Sequence, residues 1–194
     1  MKIDKENIIK VSLPTDYGKF VLYAYNKDNL THLVLIKGNV SECEAPLVRI
    51  HSECMTGDVF GSKRCDCGLQ LKGAMELIER EQCGIIIYLR QEGRGIGLFE
   101  KVKAYKLQEE GMDTLEANLA LGFKGDERTY DVAADLLEYF GVKKIRLITN
   151  NPEKIEGLEK DGIEVVERVA SIYKMNEYNQ KYMATKKIKM GHLL

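Results

Sequence analysis

The sequence predicts an α+β or mixed α/β fold: one compact domain over residues 1–194, with a β-rich N-terminal part and then a mixed sheet flanked by helices. Three observations carry that expectation. β-Branched and aromatic runs crowd the segment from Ile8 to Ile50, helical periodicity begins only at Asp66, and short apolar runs then alternate with helical patterns. A chain of this length hides roughly 70% of the surface it would expose unfolded, enough for one sizeable core.

The first four runs, "IIKVSL", "KFVLYAY", "HLVLI" and "PLVRI", are separated by Asp, Gly, Asn and Pro turns and read as strands. From Asp66 to Gln82, apolar Leu69, Ala74, Leu77 and Ile78 recur at helical spacing between charges. "GIIIYLRQ", Gly84 to Gln91, is a short apolar run suited to a buried strand. Leu98 to Glu110 resumes a helical pattern that Gly111 would cap, and Met112 to Thr129 reads as a loop. Tyr130 to Phe140 is helical and stops at Gly141. A strand "KIRLIT" follows, then a helix opened by Asn150, Asn151 and Pro152, and a strand "GIEVVERV". From Asn176 the tail is basic, and Lys181, Lys186, Lys187 and Lys189 read as a solvated helix face. There is no internal repeat, low-complexity segment or linker.

Charge narrows the function. With 29 basic and 30 acidic side chains the net charge is -1, which argues against nucleic-acid or membrane binding by bulk electrostatics. The charged N-terminus lacks a signal-like apolar stretch, and no run of about 18 apolar residues occurs, so a cytoplasmic location is expected. Thiols are kept reduced there. Five cysteines therefore read as metal ligands or catalytic groups plus buried spectators, not as a disulfide framework.

Three of the five, Cys54, Cys65 and Cys67, form C-x10-C-x-C. Thiolates suit zinc, which closes structural sites with four protein ligands and leaves catalytic sites with three plus water. Cys43, Cys83, His51, His32 and His192 are the candidate fourth ligands, and neither Cys43 nor Cys83 falls at a metal-knuckle spacing from the trio. Three readings stand: cysteines packed without a metal, a closed structural site, or an open site that activates water near neutral pH.

"LRQEGRGIGL" sets Gly93, Gly95 and Gly97 between a strand and a helix, where backbone N–H groups and the Arg94 fork suit a phosphate; a tight structural turn is the alternative. Arg49 and Lys154 could add positive charge or lie solvated at the surface. Glu92 and Gln70 are of the types that read a nucleobase edge, though such side chains are ordinary on turns and helices. Asp126, two residues before Arg128, reads by itself as a surface ion pair.

Taken together, "VRIHSECMTGDVFGSKRCDCG", "YLRQEGRGIGL", "DTLEAN", "GFKGDERTY", "LITNNPEKI" and "KMGHLL" resemble GTP cyclohydrolase II, the family that opens riboflavin biosynthesis, from about Leu47 onward. The resemblance implies one zinc ion per chain on Cys54, Cys65 and Cys67, with water completing the site. It implies GTP bound by Arg49, Ile50, His51, Ser52, Glu53, Gln70, Glu92, Gly93, Arg94, Thr114, Thr149 and Lys154, with magnesium on the triphosphate. It also implies Arg128 as nucleophile toward the α-phosphorus, Asp126 as its proton acceptor, Tyr105 as a further catalytic group, and a homodimer. A guanidinium with a pKa above about 12 is a poor nucleophile, so Arg128 would need Asp126 to take a proton or would act as an electrostatic clamp. Nothing resembles a fused butanone-phosphate synthase domain, so a monofunctional enzyme is expected. A partial cyclohydrolase that keeps the formyl group and a zinc-stabilised nucleotide-binding module are the alternatives.

Overall fold

Alternating side chains and short polar turns make the N-terminal region a meander in the computed structural model, which describes residues 3–193. β1 (Ile8–Thr15), β2 (Gly18–Lys27) and β3 (Leu30–Lys37) pair antiparallel in sequence order. The β2–β3 turn holds Asp28 and Asn29 at φ of 52° and 62°, a left-handed pair that a two-residue hairpin needs and that Asp and Asn tolerate. On β3, His32, Val34 and Ile36 are buried while the residues between them are not, the period of two expected of a half-buried strand.

The later elements are β4 (Leu47–Ser52), α1 (Met55–Asp58), α2 (Cys67–Glu81), β5 (Gly84–Leu89), α3 (Leu98–Glu109), α4 (Thr114–Ala120), α5 (Asp131–Tyr139), β6 (Lys144–Ile148), α6 (Pro152–Lys160), β7 (Glu164–Val169) and α7 (Gln180–Lys189). The seven strands form one sheet in the order β1-β2-β3-β5-β4-β6-β7. β3 and β5 run antiparallel, whereas β4–β6 and β6–β7 are parallel, so the sheet is mixed and the α+β class holds. β4 and β5 lie at its centre and are buried along nearly their whole length; β5 reads accordingly as a continuous apolar run, whereas β4 buries Arg49 and His51 among Leu47, Val48 and Ile50.

The chain divides into two compact units, each assembled from three separate stretches. The first, residues 1–51, 71–90 and 129–171, holds the sheet with α5, α6 and most of α2. One apolar cluster joins Ile50, Ile85, Ile87 and Leu89 to Leu136 and Leu137 of α5 and Leu158 of α6. A second joins Phe20, Leu47 and Ile86 to Ala74 and Ile78 of α2. Fully burying each such side chain contributes about 1.5–3 kcal/mol. The second unit, residues 52–70, 91–128 and 172–194, holds α1, α3, α4 and α7. Within it α4 packs against both α3 and α7. Of the span expected as one domain, Met1, Lys2 and Leu194 lie outside the described residues.

The structure departs from the sequence reading in three places. The expected loop from Met112 to Thr129 contains α4, opened by a capping box: Asp113 accepts from the Leu115 and Glu116 amides, and the Glu116 carboxylate accepts from the Asp113 amide. Such caps contribute about 1 kcal/mol, enough to start a two-turn helix. Cys43 and Cys83, read as unpaired thiols, are joined as a disulfide, because the sheet sets the approach to β4 beside the start of β5. The basic tail is not uniformly solvated. Lys181 and Lys187 are exposed, but Lys186 is buried against Asp66 and Lys189 pairs with Asp113 and Glu116. Among the described residues no helix is long and apolar enough to cross a membrane.

Candidate functional site

Local geometry gathers the three cysteines in the second unit. Cys54 follows β4 and caps α1, with its amide donating to Asp58 Oδ2 at 3.0 Å, while Cys67 opens α2. Their sulfurs and that of Cys65 all lie within 4.8 Å of one another, and Cys54 and Cys65 are 3.8 Å apart. A tetrahedral ion with metal–sulfur bonds of about 2.3 Å sets its sulfurs about 3.8 Å apart, so the donor set and its spacing fit zinc. Among the described residues this is the one group of three or more candidate ligands, and it has three members. Gly57 makes room for it. A Cβ there would stand 2.9 Å from the Cys65 sulfur and 3.1 Å from that of Cys54.

Without a metal the three thiols share their protons unequally. Hydrogen bonds from Cys65 and Cys67, then the nearby Lys101 ammonium, pull the Cys54 thiol far below its ordinary range. The hydrogen bond to Cys54, together with burial, pushes Cys65 up to about 11, and Cys67 rises for the same reasons. One thiolate is thus stable beside the lysine. An ion must supply the charge that ionises the other two.

Lys101, absent from the sequence reading, organises this side of the cluster. Its Nζ donates to Cys54 Sγ at 3.2 Å, Thr56 Oγ1 at 3.1 Å and Glu92 Oε1 at 2.8 Å. Burial favours the neutral amine, but Cys54 and Glu92 outweigh it and the ammonium is held charged well above its ordinary range. Thr56 also hydrogen-bonds Tyr105 at 3.3 Å, linking the expected catalytic tyrosine to the cysteine cluster. Burial raises the Tyr105 pKa, so its hydroxyl keeps its proton at neutral pH. Only the i, i+4 spacing of Lys101 and Tyr105 on α3 hints at their shared face in the sequence.

The Glu92 carboxylate, expected to read a base, is buried and accepts from Lys101 and the Gly93 amide through Oε1, and from the Met55 amide at 2.6 Å through Oε2. The glycine turn is likewise closed on itself. Gly95 N donates to Gln91 O and Gly97 N to Glu92 O, while Gly93, Arg94, Gly95 and Gly97 all take positive φ. A left-handed arginine costs about 1–2 kcal/mol, and here its carbonyl accepts from the Glu127 amide at 3.0 Å. These bonds are those of the tight-turn alternative. Arg94 still has donor capacity: Nη1 reaches Gly125 O at 3.5 Å, and buried Nη2 has no hydrogen-bond partner among the described residues.

Asp126 and Arg128 form more than a surface pair. Arg128 Nε donates to Asp126 Oδ1 at 2.8 Å and Oδ2 at 3.1 Å, Nη2 closes the fork on Oδ2, and Nη1 reaches Ser52 Oγ at 3.4 Å. Burial alone would raise the Asp126 pKa, but the Arg128 hydrogen bonds and charge hold it below the ordinary carboxylate range. Gln70 is buried and donates to Asp66 Oδ2 at 2.5 Å. Glu53 is buried in the same unit, and Thr114 is the first residue of α4.

The remaining expected residues belong to the first unit, near the carboxyl ends of β4 and β6. Buried Arg49 donates through Nη1 to Ile148 O at 3.1 Å. Lys154 donates to Ile50 O at 2.7 Å and lies 5.7 Å from the Tyr130 ring centroid. Ile50 is core, His51 stacks on Tyr88, and Thr149 Oγ1 accepts from the Asn151 amide at 3.1 Å.

Comparison with known proteins adds to this geometry. The profile of the family described as GTP cyclohydrolase II matches residues 6–170. The chain is 56% identical over 191 residues to the riboflavin biosynthesis protein RibBA of Parabacteroides distasonis, covering 97% of this chain and 47% of that protein. It is 53% identical over 190 residues to the GTP cyclohydrolase-2 of Haemophilus influenzae, covering 96% of this chain and 88% of that one. It therefore spans about half the length of the RibBA relatives, at 47%. Among solved structures, the two-domain 3,4-dihydroxy-2-butanone 4-phosphate synthase RibBX of A. baumannii aligns at a TM-score of 0.46 and 18% identity, over 88% of this chain and 42% of that one. A likeness of that degree bears on neither the fold nor the site.

Proposed function

We propose, because the chain belongs to the GTP cyclohydrolase II family, that it hydrolyses GTP to 2,5-diamino-6-ribosylamino-4(3H)-pyrimidinone 5′-phosphate, formate and diphosphate at the head of riboflavin biosynthesis. The observation that carries this reading is the three-sulfur group of Cys54, Cys65 and Cys67, whose donors and spacing suit zinc. A zinc ion held there would supply Lewis-acid activation of water at neutral pH, the chemistry needed to open the guanine imidazole ring.

The chain's own groups divide the remaining work. Lys101 keeps a positive charge against Cys54 and offsets the negative charge of a three-thiolate set. Tyr105, protonated at neutral pH and tied to Thr56, would donate a proton or a hydrogen bond beside the cluster in this reading. Asp126 stays ionised and fixes the plane of the Arg128 fork. Arg128 then meets the α-phosphate either as the family's nucleophile, with Asp126 taking its proton, or as a clamp on the developing charge. The unpartnered Nη2 of Arg94 offers a second donor to an anion. Gln70, Thr114, Thr149, Lys154 and the Arg49–Glu53 segment complete the GTP contacts in this reading, and magnesium rides on the triphosphate of a homodimeric enzyme.

Product analysis tests the reading. Incubated with GTP, Zn2+ and Mg2+, the protein is expected to release formate and diphosphate together. Release of neither overturns it. A ring-opened product that keeps its formyl group would make the protein a partial cyclohydrolase, and zinc absorption spectra showing four protein donors without water would make it a nucleotide-binding module.

A further inference from the structure

One face of α7 touches three segments, each of which carries a residue of the proposed GTP site. Tyr182, Lys186 and Lys189 follow at i, i+4 and i+7, so they share one stripe of the helix. Lys186 Nζ donates to Asp66 Oδ1 at 2.8 Å, and the other oxygen of that buried carboxylate accepts from Gln70 Nε2 at 2.5 Å. Tyr182 lies 6.0 Å from the Arg94 guanidinium and 4.4 Å from Lys186 Nζ, measured from its ring centroid. Lys189 pairs with Asp113 and Glu116, the two residues of the capping box that starts α4 at Thr114. α7 lies beyond the residues matched by the family profile.

A buried Lys–Asp pair is a poor source of stability, because desolvating both charges offsets most of their attraction. It is a good source of position. Asp66 stands between Cys65 and Cys67, so its backbone is set by the cysteine cluster, while its two oxygens are divided between Lys186 and Gln70. We infer that α7 is a positioning element for the nucleotide site, with Lys186 acting through Asp66 to hold the Gln70 amide and the Tyr182 and Lys189 contacts steadying Arg94 and the start of α4. This inference rests on the proposed GTP hydrolysis. It concerns where the amides and guanidinium point, and assigns α7 no part in holding the metal.

The test uses the full zinc-loaded chain with GTP as the probe. Lys186→Met is expected to raise KM by about tenfold or more, the loss that follows when a charge-assisted hydrogen bond no longer fixes its acceptor. Bound zinc per chain and kcat should change little. Because this variant strips Asp66 of its lysine and lowers stability, Asp66→Asn with Lys186→Met removes both charges. It is expected to recover the wild-type melting temperature while KM stays high, and Lys186→Arg is expected to recover part of the KM. A double variant with wild-type melting temperature and wild-type KM would overturn the inference, as would loss of zinc in parallel with KM. Wild-type protein that releases neither product would overturn the proposed function and this inference with it.

Discussion

Arg128 shows how a residue acquires a task from its neighbours. Its fork is closed on Asp126 on one edge and reaches Ser52 from the other, so its plane is fixed before any substrate arrives. Lysine keeps the charge but not the fork. Arg128→Lys is expected to slow diphosphate release by about a hundredfold or more, read by following diphosphate against formate. The folded pKa of Asp126 lies below its ordinary 3.8, so the pair's contribution is complete above that value and fades only as pH falls through the lower one. Lys101 makes a different prediction. Lys101→Met removes the cation beside Cys54 and should weaken zinc affinity by about 10–100-fold, measured by competition with a chelating dye; unchanged affinity would show that the ammonium serves Glu92 and Thr56 and not the metal set.

At the scale of elements, α1 works because Gly57 has no side chain. A methyl group there would press on two sulfurs at 2.9 and 3.1 Å, so Gly57→Ala should lower both zinc content and melting temperature, the latter by the equivalent of about 1–3 kcal/mol. In the sheet, β3 places neutral His32 where its Nδ1 accepts from the Arg90 amide at 3.2 Å. Burial, then the charges of Lys27 and Arg90, lower the His32 pKa from 6.5. The unfolded chain therefore takes up the proton first, and stability that is complete above pH 6.5 is lost as pH falls toward the folded value. Melting curves from pH 7 to 5 should show this slope, and His32→Gln, which keeps an acceptor that does not titrate, should flatten it. The strands are legible in the sequence because β5, buried in mid-sheet, is an unbroken apolar run and β3 alternates, while β4 keeps the apolar Leu47, Val48 and Ile50 around Arg49. α4 is less legible because two turns are too short for periodicity, although "DTLE" spells its capping box.

For the whole molecule, a metal held by the cysteine trio would couple to folding in the second unit, where Cys54, Cys65 and Cys67 reside. Chelation should raise amide exchange from Cys54 to Cys67 while the buried amides of β4 and β5 stay protected, since their apolar core includes none of the three cysteines. Uniform loss of protection would contradict this. The same scale explains what of the site can be read ahead. C-x10-C-x-C is local and its sulfurs do converge, but the company they keep is not local: Lys101 stands 47 residues from Cys54 and Lys186 stands 120 from Asp66. A basic tail reads as solvated because its acidic partner cannot be identified without the fold. Cys43 and Cys83, 40 residues apart, become neighbours only once β4 and β5 lie side by side.

The 120-residue span between Lys186 and Asp66 also orders events at the ribosome. Asp66, Cys65 and Cys67 emerge from the exit tunnel early, and the strands and helices of residues 71–171 follow before α7 is made. Throughout that interval the nascent Asp66 carboxylate lacks its lysine, and water offsets its charge. Translation therefore supplies this contact last, and a chain cut short before residue 186 would carry the whole cysteine trio yet leave the Asp66–Gln70 pair without its lysine.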